Sequence, residues 1–151
     1  MNREIRYKAK RCDNKQWVEG SLIVLDADSG YYFITEEYLS ASTLPVKDLI
    51  YNHTYLVNPN TLCQYTGLTD NNGNKIWEND ILHCKNRDMV EEADFTTQVE
   101  WDDDCKGFLM QDTAYSFVGL DAINPNIQGI YEVVEHLGNV FDNPELLKSE
   151  F

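Results

Sequence analysis

Residues 64–82 read QYTGLTDNNGNKIWENDIL, and this stretch decides how the middle of the chain folds. The polar cluster DNNGN at residues 70–74 has Tyr65 before it and Ile76 and Trp77 after it. An Asn-Gly pair tolerates positive φ angles, and Asn and Asp side chains hydrogen-bond their own backbone in turns. We therefore predict a β-hairpin whose bend is formed by residues 70–74.

The same cluster has part of the ligand pattern of an EF-hand calcium loop. Such a loop needs oxygen ligands at its first, third and fifth positions, Gly at the sixth and Glu at the twelfth. With Asp70 as the first position, Asn72 and Asn74 fit, but Lys75 is the sixth residue and Ile81 is the twelfth. The sequence therefore predicts a bend and no metal site.

Glu78 and Asp80 follow, directly before the next apolar segment. Two carboxylates that are buried a few ångströms apart can carry out acid–base chemistry. At the entry to a strand, however, an Asp side chain commonly accepts hydrogen bonds from free backbone N–H groups. We interpret these two acids as turn residues rather than as a catalytic pair.

Outside this block the chain alternates between short strand-like segments and turns. Residues 4–10 alternate apolar and charged side chains, and the strand-like segments 17–25 and 31–35 follow after turns, so the first 35 residues predict a meander. Further strands are predicted at 54–57, after residue 80, at 98–101 and 108–111, and within 115–122 and 130–143, with a loop at 86–94. Short helical turns are predicted at 59–62, capped by Asn58, and after Asn143.

These elements make the fold class mainly β, built as a meander or as partly closed barrel-like sheets with one or two short helices. An α+β fold is the alternative. A chain of 151 residues fits one domain. We expect a single domain over residues 1–151, with an N-terminal β meander at about 1–57 and a C-terminal β subdomain at about 58–151.

Charge is spread unevenly along the chain, whose formal net charge is −14. Residues 1–11 hold five Lys or Arg and one Glu, whereas the other 140 residues hold seven Lys or Arg and 25 Asp or Glu. A body this acidic repels the phosphates of nucleic acids. We expect no direct binding of DNA or RNA. The acidity has two interpretations, which are a general contribution to solubility and attraction to a basic protein partner.

Two observations predict a cytosolic location. The opening MNREIRYKAKR is not followed by the apolar segment of a signal peptide, and the chain has no apolar run long enough to span a membrane. The cysteines, at 12, 63, 84 and 105, form no C-x-x-C pair, and thiols without a secretory signal are reduced by default.

The cysteines and histidines also do not form a recognisable reactive or metal-binding site. Structural zinc sites place their ligands in closely spaced pairs. Cys63, Cys84 and Cys105 are far apart in the sequence, and His83 next to Cys84 does not make up such a pair. No local signature supports a nucleophile pair of Cys105 with His53 or His136, and three preceding aspartates predict a raised thiol pKa. We expect no cofactor and no metal, and the sequence identifies no catalytic residue.

Four pieces of the chain, in order, resemble the YopX-like family of phage and prophage proteins. They are REIRYKAKR at 3–11, CQYTGLTDNNGNKIWENDIL at 63–82, VEWDDDCKGF at 99–108 and YEVVEHLGNVFDNPELL at 131–147. This chain has Asn79 where the family commonly has Gly, and Cys63 where the family commonly has a small residue. The resemblance implies one YopX-like domain, a mainly β fold, a cytoplasmic setting in a bacterial host cell and self-association as a homo-oligomer, but it carries no catalytic residues.

Two hypotheses about function follow. The first is a non-enzymatic protein-interaction module, because the body is acidic and no motif carries a chemical mechanism. The alternative is a small carboxylate- or metal-dependent hydrolase that uses Asp80, Glu100 or Asp102. The first is favoured.

The aromatic residues are expected to serve the fold or an oligomer contact. They include the three tryptophans, Trp17, Trp77 and Trp101, and the run Tyr31, Tyr32 and Phe33. If one face of that run lacks cover, it marks a self-association surface.

Overall fold

The computed structural model describes residues 4–26, 28–36, 53–87, 94–113, 116–123 and 131–150. Within these ranges the protein is mainly β, as the sequence predicts. The helical segments are 3₁₀ turns, at Pro59–Thr61, Leu120–Ile123 and Pro144–Glu150. Residues 37–52, and residues 88–93 of the predicted loop 86–94, lie outside the described residues.

The strands are β1 to β11 in chain order, and the chain forms two compact units, Met1–Tyr65 and Thr66–Phe151. The strands are β1 Tyr7–Lys10, β2 Trp17–Asp26, β3 Tyr31–Glu36, β4 Thr54–Val57, β5 Cys63–Thr69, β6 Lys75–Trp77, β7 Asp80–Asn86, β8 Phe95–Asp102, β9 Gly107–Thr113, β10 Ser116–Gly119 and β11 Tyr131–Asn139. The strand β5 begins in the first unit and ends in the second.

The first unit is the predicted meander, rolled up into a small barrel. Strands β1 to β4 pair antiparallel in sequence order, and the end of β1 then meets β4 through a bridge between Arg11 and Val57. Backbone hydrogen bonds from Asn58 N to the Lys10 carbonyl (2.8 Å) and from Cys12 N to the Leu56 carbonyl (2.9 Å) complete the closure. The sheet therefore curls far enough to hydrogen-bond its own edge.

Small and branched side chains fill this barrel. Ala9, Ile34 and Val57 are fully buried at its centre. Gly20 lies where β2 and β3 approach closely, since a methyl group there would lie 1.7 Å from the carbonyl oxygen of Thr35. Only glycine fits such an approach between two backbones.

The second unit contains a five-stranded antiparallel sheet in the order β10-β9-β8-β7-β11. One face of this sheet carries the larger core of the protein. Its buried residues include Leu82, Cys84, Val99, Met110 and Val133. The strands predicted at 98–101 and 108–111 are the inner parts of β8 and β9.

Candidate functional site

The polar cluster at residues 70–74 is the bend between β5 and β6, as predicted. The Asp70 carboxylate accepts hydrogen bonds from the backbone N–H groups of Asn72 and Asn74 and from the Asn74 amide, each at 2.9 Å. Gly73 has a φ of 83°, which the Asn-Gly pair provides. Burial raises the pKa of Asp70, but the hydrogen bonds from Asn74 and Asn72 and the charge of His136 outweigh it and place the pKa below its usual value.

The turn that follows holds a buried carboxylate–imidazole pair. Asp80 is 1% exposed, and its Oδ2 accepts a hydrogen bond from the Trp77 N–H at 2.8 Å. The same oxygen lies 2.9 Å from Nε2 of His136, whose side chain is 23% exposed. Asp80 therefore satisfies a free backbone N–H at the strand entry, as predicted, and it also ties this turn to β11.

The sequence does not reveal the His136 partner, because 55 residues separate it from Asp80 along the chain. The two meet because β11 pairs with β7, with Asn139 opposite Asp80 and His136 opposite Leu82. Two register irregularities in β11, one on each side of His136, set its position. A pairing of this kind is readable only once the sheet register is known.

Three of the four sequence pieces that resemble the YopX-like family meet at this place. Asn79 donates its N–H to the Val99 carbonyl (2.7 Å), and its own carbonyl accepts from Val140 N (3.0 Å). Asn79 has a φ of 68°, so the position where the family commonly has Gly is a left-handed one that Asn also tolerates. Nearby, Gly138 has a φ of 147°, and a methyl group there would lie 2.1 Å from Oδ1 of Asn143.

The other acids of the hydrolase hypothesis lie elsewhere. Asp80 belongs to the core face of the sheet, since it alternates with Leu82 and Cys84. Glu100 and Asp102 alternate with the core residue Val99 and so face the opposite side. Among the described residues, no group of three or more His, Cys, Asp or Glu is arranged to hold a metal ion.

The histidine and cysteine candidates also have separate surroundings. His83 Nε2 lies 3.3 Å from Oδ2 of Asp94. Its neighbour Cys84 is fully buried, and this burial raises the pKa of its thiol to about 12. Cys105 is exposed at the β8–β9 turn, beside Asp102, whereas His136 is held by Asp80. All four cysteines are free thiols.

The β8–β9 turn is an exposed acidic feature of the second unit. Asp102 accepts the Cys105 N–H at 2.6 Å, and this bond, with further hydrogen bonds, lowers the pKa of its carboxyl. The hydrogen bond to Asp102 and the negative charge of that group raise the pKa of the Cys105 thiol, as the three aspartates predict. The Asp103 side chain is 89% exposed.

Trp101 stands at the same turn and is 41% exposed. Its ring packs edge-to-face on Phe108 with 5.1 Å between ring centroids, and its indole N–H donates to Oδ1 of Asp103 at 3.1 Å. Next to the turn, an apolar cleft of about 430 Å³ is lined by Leu68, Phe108 and Leu120 among others. The sequence predicts Trp101 as a core or oligomer contact, and its exposure leaves it available for a contact.

Charge follows the division into units. Residues 1–65 hold seven Lys or Arg and eight Asp or Glu, a net charge of −1. Residues 66–151 hold five Lys or Arg and 18 Asp or Glu, a net charge of −13. The acidity of the protein is therefore a property of the second unit.

This chain is similar to a solved structure and matches a protein-family model. A crystal structure of protein EF1440 from Enterococcus faecalis is similar to this chain with a TM-score of 0.50 and 20% sequence identity, over 97% of this chain and 99% of that one. At this identity the likeness concerns the fold alone. No curated protein matches the chain, and in the part that the structure describes no helix is both long and apolar enough to cross a membrane. The family model described as YopX protein matches residues 6–148, and the chain therefore belongs to the YopX family.

Proposed function

We propose that this protein is a non-enzymatic interaction module that binds a basic protein partner through the β8–β9 hairpin of its second unit. The observation that carries the proposal is the partly exposed Trp101 at the tip of an acidic hairpin, within a unit of net charge −13. We further propose that the protein is encoded by a phage or prophage and acts in the bacterial cytoplasm.

The hairpin combines two features of protein-binding surfaces. Tryptophan is enriched among the few residues that dominate binding energy, and Phe108 and Asp103 hold the Trp101 ring in place through the contacts described above. A ring that is already ordered loses little conformational entropy on binding. Trp101 is therefore the expected anchor of the contact.

Charge supports a basic partner. Asp103 and Asp104 are exposed in the turn that follows Trp101. Lys106 is also exposed there and lies 3.8 Å from Asp103, which offsets one of these charges. A surface of this sign accelerates encounter with a basic protein, and added salt weakens that attraction.

The setting is supported by the family and by the thiols. The YopX-like pieces of the sequence carry the resemblance to phage and prophage proteins. Free cysteines, two of them exposed, fit a reducing compartment such as the cytoplasm.

The test is capture of a partner from host-cell lysate by the immobilised protein, followed by affinity measurement on the purified partner. We expect a basic partner whose dissociation constant rises at least tenfold in Trp101→Ala and rises with salt, since an anchor side chain contributes more than about 1.4 kcal/mol. The matched control is Glu135→Gln, which neutralises an exposed acid of β11, a strand that β7 separates from β8. A partner that binds Trp101→Ala and the unchanged protein equally well would overturn the proposal.

A further inference from the structure

The cleft beside the β8–β9 turn forms because β10 is shorter than β9. The last residue of β10, Gly119, lies opposite Leu109, and the chain then leaves the sheet in the 3₁₀ turn Leu120–Ile123. The first residues of β9, Gly107 and Phe108, therefore extend beyond the end of β10. Together with residues of β5, they line the cleft of about 430 Å³.

The cleft is an apolar extension of the core of the second unit. Leu120 is a buried member of that core, and Leu68 and Phe108 pack against it. All three side chains line the cleft. Trp101 lies opposite Phe108 in the register of β8 and β9, and their rings are in contact. An apolar side chain bound in the cleft would therefore join an existing apolar cluster.

The side of the cleft nearest the turn is acidic. Cys105 lines the cleft there and is exposed. The hydrogen bond to Asp102 and the negative charges of Asp102 and Asp104 raise the pKa of its thiol, so both carboxylates act at this wall. Asp103 is exposed in the same turn, and Lys106 offsets one of the three negative charges. A net negative charge therefore borders the apolar space.

We propose that this cleft receives one large apolar side chain of the basic partner, and that the partner carries Lys or Arg next to that side chain. The inference rests on the proposed function and adds the local chemistry by which the partner is recognised. The apolar walls take the side chain, and the aspartates of the turn pair with the flanking cations. The partly exposed ring of Trp101 is a further contact for such cations.

Two other kinds of occupant fit the cleft less well. A second copy of this chain would bring together two units that each have a net charge of −13, and these repel one another. A free small molecule is commonly buried over most of its surface in its site. In the described part of the chain this cleft is open at the turn, where Cys105 is exposed and Trp101 is 41% exposed. A protein segment covers its own outer side and brings the cations with it.

Calorimetric titration of the full chain with two synthetic peptides tests the apolar part of the proposal. One peptide has a leucine with lysines on both sides, and the other has alanine in place of the leucine. We expect the leucine peptide to bind about tenfold more tightly or better, because leucine buries more apolar area than alanine. Added salt should weaken the binding of both peptides. Equal affinities of the two peptides, or no binding of either, would overturn the proposal.

Selective modification of Cys105 tests the location of the binding site. In Cys12→Ser the exposed thiol is that of Cys105, since Cys63 and Cys84 are buried. N-Phenylmaleimide attaches a bulky ring to Cys105 and should abolish the preference for the leucine peptide over the alanine peptide. Methyl methanethiosulfonate adds only a small S-methyl group and is the matched control, which should leave that preference intact. Circular dichroism confirms that each modified protein is folded.

The results distinguish a failure of this proposal from a failure of the proposed function. If Trp101→Ala weakens binding of the partner but the bulky label leaves the leucine preference unchanged, the hairpin contact stands and the cleft proposal is overturned. A partner that binds Trp101→Ala and the unchanged protein equally well overturns the proposed function instead. A dimer that the bulky label dissociates, or a small molecule that it displaces from the purified protein, would assign the cleft to another occupant and also overturn the cleft proposal.

Discussion

Replacing Asp80 with alanine should destabilise the protein strongly, because this buried carboxylate connects the β6–β7 turn to β11. The change removes the acceptor of the Trp77 N–H and the partner of His136. An unpaired buried N–H group costs roughly 1–3 kcal/mol, and losing a hydrogen bond to a charged group costs roughly 1.5–3 kcal/mol. Since His136 is partly exposed and water can replace its partner, we expect a total loss of about 3 kcal/mol in the free energy of unfolding.

Urea denaturation, followed by tryptophan fluorescence and circular dichroism, measures this loss. With a denaturant dependence of about 2 kcal/mol per molar urea, the midpoint should fall by roughly 1.5 M. The urea midpoint of Asp80→Asn should lie between those of the unchanged protein and Asp80→Ala, because the amide keeps an oxygen for the Trp77 N–H but loses the negative charge that faces His136. Asp103→Ala is the matched control, since Asp103 is 89% exposed and its loss should leave the midpoint unchanged.

The opposite results would refute a structural role for Asp80. An Asp80→Ala protein with the same midpoint as Asp103→Ala would show that the buried contacts contribute nothing to stability. A folded Asp80→Asn protein that had lost a measurable hydrolytic turnover would instead favour the carboxylate-dependent hydrolase.

Two further outcomes are expected. Gly138→Ala should lower the melting temperature, because the new methyl group would lie 2.1 Å from Oδ1 of Asn143 and the backbone φ at this position is 147°. The matched control is Gly107→Ala, where a methyl group would lie 3.9 Å from its nearest atom and should have a much smaller effect. Equal melting temperatures for the two variants would contradict the crowding at Gly138. Asp102→Asn should speed alkylation of Cys105 by iodoacetamide at mildly alkaline pH, because the negative charge of Asp102, which raises the thiol pKa, is lost and the thiolate fraction rises. A pH profile of the alkylation rate that does not move to lower pH in Asp102→Asn would show that Asp102 does not control this thiol.

The local features of this protein were predictable from its sequence because they depend on residues close together in the chain. The bend at 70–74 forms through hydrogen bonds from Asn72 and Asn74 to Asp70, all within five residues. The 3₁₀ turn after Asn58 and the raised thiol pKa of Cys105 have equally local causes. Alternating side chains gave the meander for the same reason, since the period of a strand is a local property.

The candidate sites depended on contacts that no local pattern encodes. Trp101 lies next to exposed acidic residues, and it became a candidate anchor only when the structure showed its ring partly exposed beside Phe108. The apolar row of Ile23, Phe33 and Leu56 is visible only once the register of β2, β3 and β4 is known. The difference in net charge between the two units could be calculated only after the structure placed the division after Tyr65.

The sequence by itself determined the strands, the turns between them and the acidic character of residues 66–151, because these follow from side-chain period, backbone preference and simple charge. Only the tertiary structure decided that β4 returns to the end of β1 and that His136 lies against Asp80. The physical reason is that strand pairing joins residues far apart in the chain, and a shift of one residue in register would turn each side chain to the other face.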